Sequence, residues 1–210
     1  MRRSPDRPLG LAPATVLDYR ELARRALPRQ LFDYIDGGAY EEATMRANVS
    51  DLERIPLRQI VLRDVSRREQ ATEVLGQQVS MPVILGPVGL GGMFAPRAEV
   101  QAARAAEAAG VPFIESTVSI CSIEEVARAI SSPPWLQLYV LRDRDYAESL
   151  MDRGAAVGAP VLVLTVDLAV AGARHRDTRN GLLGELSPWA KVRRTSDLLM
   201  HPRWIRSVAR

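Results

Sequence analysis

Along the first 80 residues apolar positions recur at helical spacing or alternate with turn-formers, whereas beyond them they condense into short unbroken runs. LDYRELARRAL (17–27), LFDYIDGGA (31–39) and EEATMRANVSDL (41–52) predict short helices, the first stopped by Pro28 and the second by its glycine pair. IPLRQIVL (55–62) and ATEVLGQQVSM (71–81) mix β-branched residues with turn-formers and predict small antiparallel strands outside the main sheet. MPVILGP (81–87), VPFIES (111–116), PWLQLYV (134–140) and PVLVLTVD (160–167) are strand-length apolar runs. Helical patterns follow the first three, at 96–110, 122–132 and 143–159. Strands separated by helices at this spacing predict βα repetition and a parallel sheet covered by helices, because parallel neighbours need a crossover.

In a parallel arrangement all strand C-termini lie on one side, and in barrels that side holds the site. The polar residues gather there: Gly86, Pro87, Val88 and Gly89 end the first run, Glu115, Ser116 and Thr117 the second, Gln137 and Tyr139 the third, and Thr165 and Asp167 the fourth. Period-two geometry puts Gln137 with Tyr139 on one face of their strand and Thr165 with Asp167 on one face of theirs. The glycines of GPVGLGGM (86–93) do not match G-x-G-x-x-G, which excludes a Rossmann site. Glycine and proline at a strand end instead let backbone approach a flat ligand.

Composition adds limits. The chain of 210 residues, 47% hydrophobic and 25% charged, reads as one globular domain. It has no signal-peptide pattern and no run of roughly 18 apolar residues, so a cytoplasmic location is expected, with peripheral contact at the inner face of the cell membrane. The single cysteine, Cys121, reads as a small buried hydrophobe. The formal charge of +3 is uneven: residues 190–210 carry six basic residues against Asp197, leaving the remainder negative. That basic segment is read as a solvated surface loop that would also fit a face resting on the inner membrane; nucleic-acid binding has no motif to support it.

FDYIDGGAYEEATMRAN, SMPVILGPVGLGGM, ESTVSICSIEEVA, WLQLYVLRDR and LTVDLAVAGARHRD resemble, in order and spacing, the N-terminal half of the FMN-dependent 2-hydroxy-acid dehydrogenases, and within them the respiratory L-lactate branch. The resemblance implies an α/β fold in which N-terminal helices and small strands (1–80) precede the first four βα units of a TIM (β/α)8 barrel (81–210), truncated within one partial domain. It implies FMN as cofactor, with Pro87, Val88 and Gly89 against the flavin ring and Ser116, Gln137 and Thr165 hydrogen-bonded to it. Tyr34, Tyr139 and Arg174 would hold the substrate, L-lactate or a similar 2-hydroxy acid, with Tyr139 also serving during turnover. The implied reaction gives pyruvate, or another 2-oxo acid, and passes electrons to a quinone; intact members form homo-oligomers. Where family members read Asp-x-Pro, this chain has Asp167-Leu168-Ala169, which predicts a looser approach to Arg174.

The family's general-base histidine lies in an HGGRQ-like motif, which is not present in these 210 residues. His175 and His201 stand in other contexts, and His175 is read as a surface residue. A full barrel needs about 250 residues and holds phosphate with the loops after strands seven and eight. The expectation is therefore weak FMN affinity, no turnover by this chain alone, and self-association through open sheet edges. The alternatives are a non-catalytic half-barrel and a related oxidase or dehydrogenase of another 2-hydroxy acid.

Overall fold

A computed structural model describes residues 12–168, 170–183 and 187–208. The described chain divides into two compact units, one made of the residues up to Pro56 with those from Gly172 onward, the other running Leu57–Ala171.

In the first unit, α1 (Val16–Ala26), α2 (Arg29–Asp36) and α3 (Ala43–Glu53) follow the expected helices. Thr15 and Asp18 form a reciprocal capping box that satisfies the free N–H groups at the start of α1. Leu31 and Phe32 are the buried positions of α2. The same unit holds α8 (His175–Asn180), α9 (Pro188–Leu199) and α10 (Pro202–Val208). The basic segment expected as a loop is thus helical. Its start signals are present: Ser187 accepts a hydrogen bond from the Ala190 N–H, and Pro188 occupies the first turn, where its missing N–H costs nothing.

In the second unit, β1 (Thr72–Val74) and β2 (Gln77–Val79) form an antiparallel hairpin, as expected from ATEVLGQQVSM. IPLRQIVL forms no strand. Its branched residues are exposed, Leu57 at 95% and Ile60 at 68%, and no neighbouring strand takes up their backbone groups. The short α4 (Gly91–Phe94) is followed by α5 (Ala98–Ala109), β3 (Ile114–Glu115), α6 (Ile123–Ala129), β4 (Trp135–Tyr139), α7 (Arg144–Ala156) and β5 (Leu162–Thr165). The sheet order is β3-β4-β5, all parallel, with Leu136 opposite Leu162 and Tyr139 opposite Thr165.

The first apolar run contributes a single parallel bridge, Leu85 to Phe113, rather than a strand. Leu85 donates to the Pro112 carbonyl and accepts from the Ile114 N–H. Pro82 and Pro87 cannot donate to a ladder, which limits pairing on both sides of that bridge. β5 stops at Thr165, so the alternation expected to reach Asp167 ends there; Ala169 lies outside the described residues. Every residue of β4 from Trp135 to Leu138 is buried, but Leu162 and Leu164 of β5 remain about half exposed, so β5 is covered on one face only.

The core of this unit joins Val100, Ala103 and Ala106 of α5 to Phe113, which precedes β3, to Cys121, and to Val126 of α6. Cys121 is 3% exposed and packs as a hydrophobe. Gly110, at φ +68°, ends α5 in the left-handed conformation that a residue with a Cβ adopts only at a cost.

Candidate active site

Gln137 is the centre of the strand-end cluster. It is 1% exposed, and both ends of its side-chain amide are engaged. Its Oε1 accepts from the Thr117 N–H at 3.0 Å and from Ser116 Oγ at 3.4 Å, and its Nε2 donates to Thr165 Oγ1 at 2.8 Å. Thr117 closes the ring of bonds: its hydroxyl donates to the Gln137 carbonyl at 2.6 Å and accepts from the Tyr139 N–H at 3.3 Å. Ser116, Gln137 and Thr165, expected together from the ends of three different runs, are one hydrogen-bonded group. Tyr139 lies beside it, directly opposite Thr165 in the ladder.

The Pro87–Gly89 stretch is fastened to this group. The Leu90 N–H donates to the Val118 carbonyl at 2.9 Å. A Cβ on Gly89 would stand 2.5 Å from Val118 Cγ2 and 3.6 Å from Ser116 Oγ, so the approach requires glycine. Pro87 and Val88 remain exposed. From behind, Glu99 of α5 accepts from the Gly92 and Ile120 N–H groups at 3.0 Å each. Burial opposes its charge, but those backbone donors prevail and hold its carboxyl below the usual range. Thr117 was expected at its strand end but given no role, and Glu99 was not among the expected site residues. A Thr after Ser116 carries no distinctive signal, and Glu99 looks like any acidic residue in the first turn of a helix.

Tyr34 and Arg174 lie in the other unit and meet each other. The Arg174 guanidinium donates to the Tyr34 carbonyl and stands 4.8 Å from the centroid of its ring, a cation–π geometry. It also pairs with Asp177, which is fully buried. The surrounding segment is laced by arginine: Arg176 pairs with Asp36 at 2.9 Å and with Glu42 at 2.6 Å, and Glu42 accepts from the Gly38 N–H. The Arg20 and Arg176 guanidiniums hold the Asp36 carboxyl below its ordinary value. His175 is partly exposed, 3.6 Å from Glu41 and edge-on to the Tyr40 ring. The acidic partners of Arg174 and Arg176, namely Asp177 within the segment and Asp36 and Glu42 outside it, do not follow from the motif, because alternating charge in a sequence does not say which pairs close.

A family model described as FMN-dependent dehydrogenase matches residues 23–210. The chain belongs to the FMN-dependent dehydrogenase family. Curated relatives include L-lactate dehydrogenase from Alcaligenes faecalis, 53% identical over 89% of this chain, and L-lactate dehydrogenase from Caulobacter sp. (strain K31), 55% identical over 91%. The chain spans about half the length of those relatives, 48% and 50%. A crystal structure of the monotopic membrane protein (S)-mandelate dehydrogenase is similar with a TM-score of 0.83 at 38% identity, covering 92% of this chain and 51% of that one. A soluble mutant of the membrane-associated (S)-mandelate dehydrogenase from Pseudomonas putida gives 0.76 at 39% identity, covering 86% and 51%. No helix among the described residues is long and apolar enough to cross a membrane.

The cluster in the second unit fits a flat heteroaromatic cofactor such as the flavin of FMN. Gln137 Nε2 has a second hydrogen and Thr165 a hydroxyl hydrogen beyond the bonds described, and Ser116 Oγ keeps a free lone pair. Beside them Pro87 and Val88 are exposed, and at Gly86 an added Cβ would meet nothing within 4 Å.

Proposed function

We propose that this chain is the flavin-ring half of an enzyme oxidising L-lactate to pyruvate, with electrons passed to a quinone. The observation that carries the reading is the Gln137 hub, which ties Ser116 and Thr165 into one polar edge beside an open backbone stretch. Two L-lactate dehydrogenase relatives above 50% identity support the substrate assignment over the mandelate enzymes below 40%.

FMN, when bound, supplies the two-electron acceptor for the substrate α-carbon. Ser116, Gln137 and Thr165 would hold its polar edge, and Pro87, Val88 and Gly89 its face. Arg174, a planar fork suited to carboxylate, and Tyr34 would take the acid group, and Tyr139 the hydroxyl. Asp177 pairs with the Arg174 side chain and fixes its position, so the guanidinium is set before substrate arrives. A positioned base contributes about 10²–10⁴-fold; with no HGGRQ-like histidine in these residues, the isolated chain is not expected to turn over. The parallel units are read as the first four of an eight-unit (β/α) barrel, a reading supported by the uncovered apolar face of β5.

Peripheral membrane contact is proposed for α9 and α10. Lys191, Arg193, Arg194, Arg203 and Arg206 accompany Trp189, Val192, Leu199 and Met200, all four apolar residues more than 60% exposed. Homo-oligomerisation is proposed with it.

The test is an FMN titration of the 210-residue chain followed by flavin fluorescence. Weak saturable binding is expected, reduced about tenfold in Gln137→Leu. Binding absent from the wild type, or unchanged in the variant, overturns the reading.

A further inference from the structure

The first unit contains a cleft of about 770 Å³ between α2, α8 and α9, within the size range of small-molecule sites. Five arginines and two aspartates line it, a net charge of +3. α9 supplies Trp189, Arg193 and Asp197, spaced four apart and therefore on one face of the helix.

The acids of the cleft are already engaged. Asp197 accepts from the Arg29 N–H at 2.8 Å, which also occupies the start of α2; Asp33 accepts from Asn180 at 3.2 Å and lies 3.5 Å from Arg29 Nε. Arg176 is held by Asp36 and Glu42, and Arg194 donates to the Gly181 carbonyl. Arg179 and Arg193, from two different helices, have no acidic partner among the described residues. The side-chain oxygen of Gln30 is buried without a hydrogen-bond partner. Trp189, 83% exposed, stands at the same cleft.

We propose that this cleft binds a phosphate group, with Arg179 and Arg193 as its principal contacts. Two guanidinium forks match a tetrahedral dianion, and the excess of positive charge exceeds what a single carboxylate would balance. The unpartnered Gln30 oxygen suits a hydroxyl on the phosphate or on the group that carries it. The exposed indole offers apolar surface to that group. The phosphate is free or esterified in solution, or it is the headgroup of an anionic lipid; the recognition chemistry is the same.

Calorimetric titration of the 210-residue chain with inorganic phosphate, at constant ionic strength set by chloride, tests this. In a second arm the chain is mixed with phosphatidylcholine vesicles with and without phosphatidylglycerol. One saturable site is expected, weakened about tenfold by Arg193→Ala and by Arg179→Ala and unchanged by Arg25→Ala, which removes a charge from α1 outside the cleft. Arg193 is exposed on α9, so its variant keeps the test valid if Arg179→Ala fails to fold. Soluble phosphate binding assigns the cleft to free or esterified phosphate. Capture only by phosphatidylglycerol vesicles, lost in the same two variants, assigns it to a headgroup. Absence of both, or equal loss in Arg25→Ala, overturns the proposal.

Discussion

The side-chain amide of Gln137 donates to the Thr165 hydroxyl at 2.8 Å, reaching diagonally across the ladder from β4 to β5, since Gln137 stands opposite Val163 and Thr165 opposite Tyr139. The same amide accepts from the Thr117 N–H on a third chain segment. Gln137→Leu leaves that part-buried donor and the Thr165 hydroxyl unmatched. A loss of about 1–3 kcal/mol in urea unfolding is expected, with Thr165→Val costing less because Thr165 is only partly buried.

Gly89 faces Val118 too closely for a side chain. Gly89→Ala is expected to destabilise by about 1–3 kcal/mol, as overpacking does. Val118→Ala in the same chain should recover most of that loss, and a double-mutant cycle measures the coupling. Purely additive effects would show that the clash is relieved elsewhere.

Glu115 is 2% exposed, and among the described residues neither carboxylate oxygen has a partner within hydrogen-bond geometry, Ser119 exerting only a weaker opposing pull on its proton. Burial, with Glu99 and Glu125 nearby, pushes its carboxyl up to about 8. The folded state therefore holds this proton more tightly than the unfolded chain, whose carboxyl titrates near the ordinary value. Stability from this group is full below about pH 4.5 and declines as pH rises towards 8. Glu115→Gln should match the wild type at pH 5 and exceed it increasingly at pH 7 and 9, read from urea midpoints. A constant difference across that range would refute the assignment.

Arg153 of α7 holds Glu124 of α6 by two bonds, at 2.6 and 2.8 Å, and lowers its carboxyl to about 2. Both side chains are more than a third exposed, so solvent screens the pair. Arg153→Ala is expected to cost no more than about 1 kcal/mol at pH 7. Because the Glu124 value is depressed, the contribution is present above about pH 4.5 and fades as pH falls towards 2. Thermal melts at pH 7 and 3 check the difference.

The sequence showed the βα repetition because helix and strand periods are local properties of consecutive side chains. It also showed which polar residues would meet, since Ser116, Gln137 and Thr165 each end an apolar run and parallel connection brings such ends together. What stayed hidden depended on partners. IPLRQIVL had strand composition but no neighbour to pair with, and MPVILGP was reduced to one bridge by its flanking prolines. The start of α9 is marked only by Ser187 and Pro188, and the charges that follow them suit a solvated loop as well as a helix. Glu99 and Asp177 act through backbone and guanidinium groups far from or hidden in the motif, and no pattern in a single chain specifies that.

β4 is enclosed from Trp135 to Leu138, and Tyr139 is its first residue to reach a partly open surface. Mutational drift along the enclosed stretch is therefore confined to replacements of equal volume and polarity. Variation in ligand preference is left to the segments beyond the strand tips, where exchanging a side chain leaves the interior untouched.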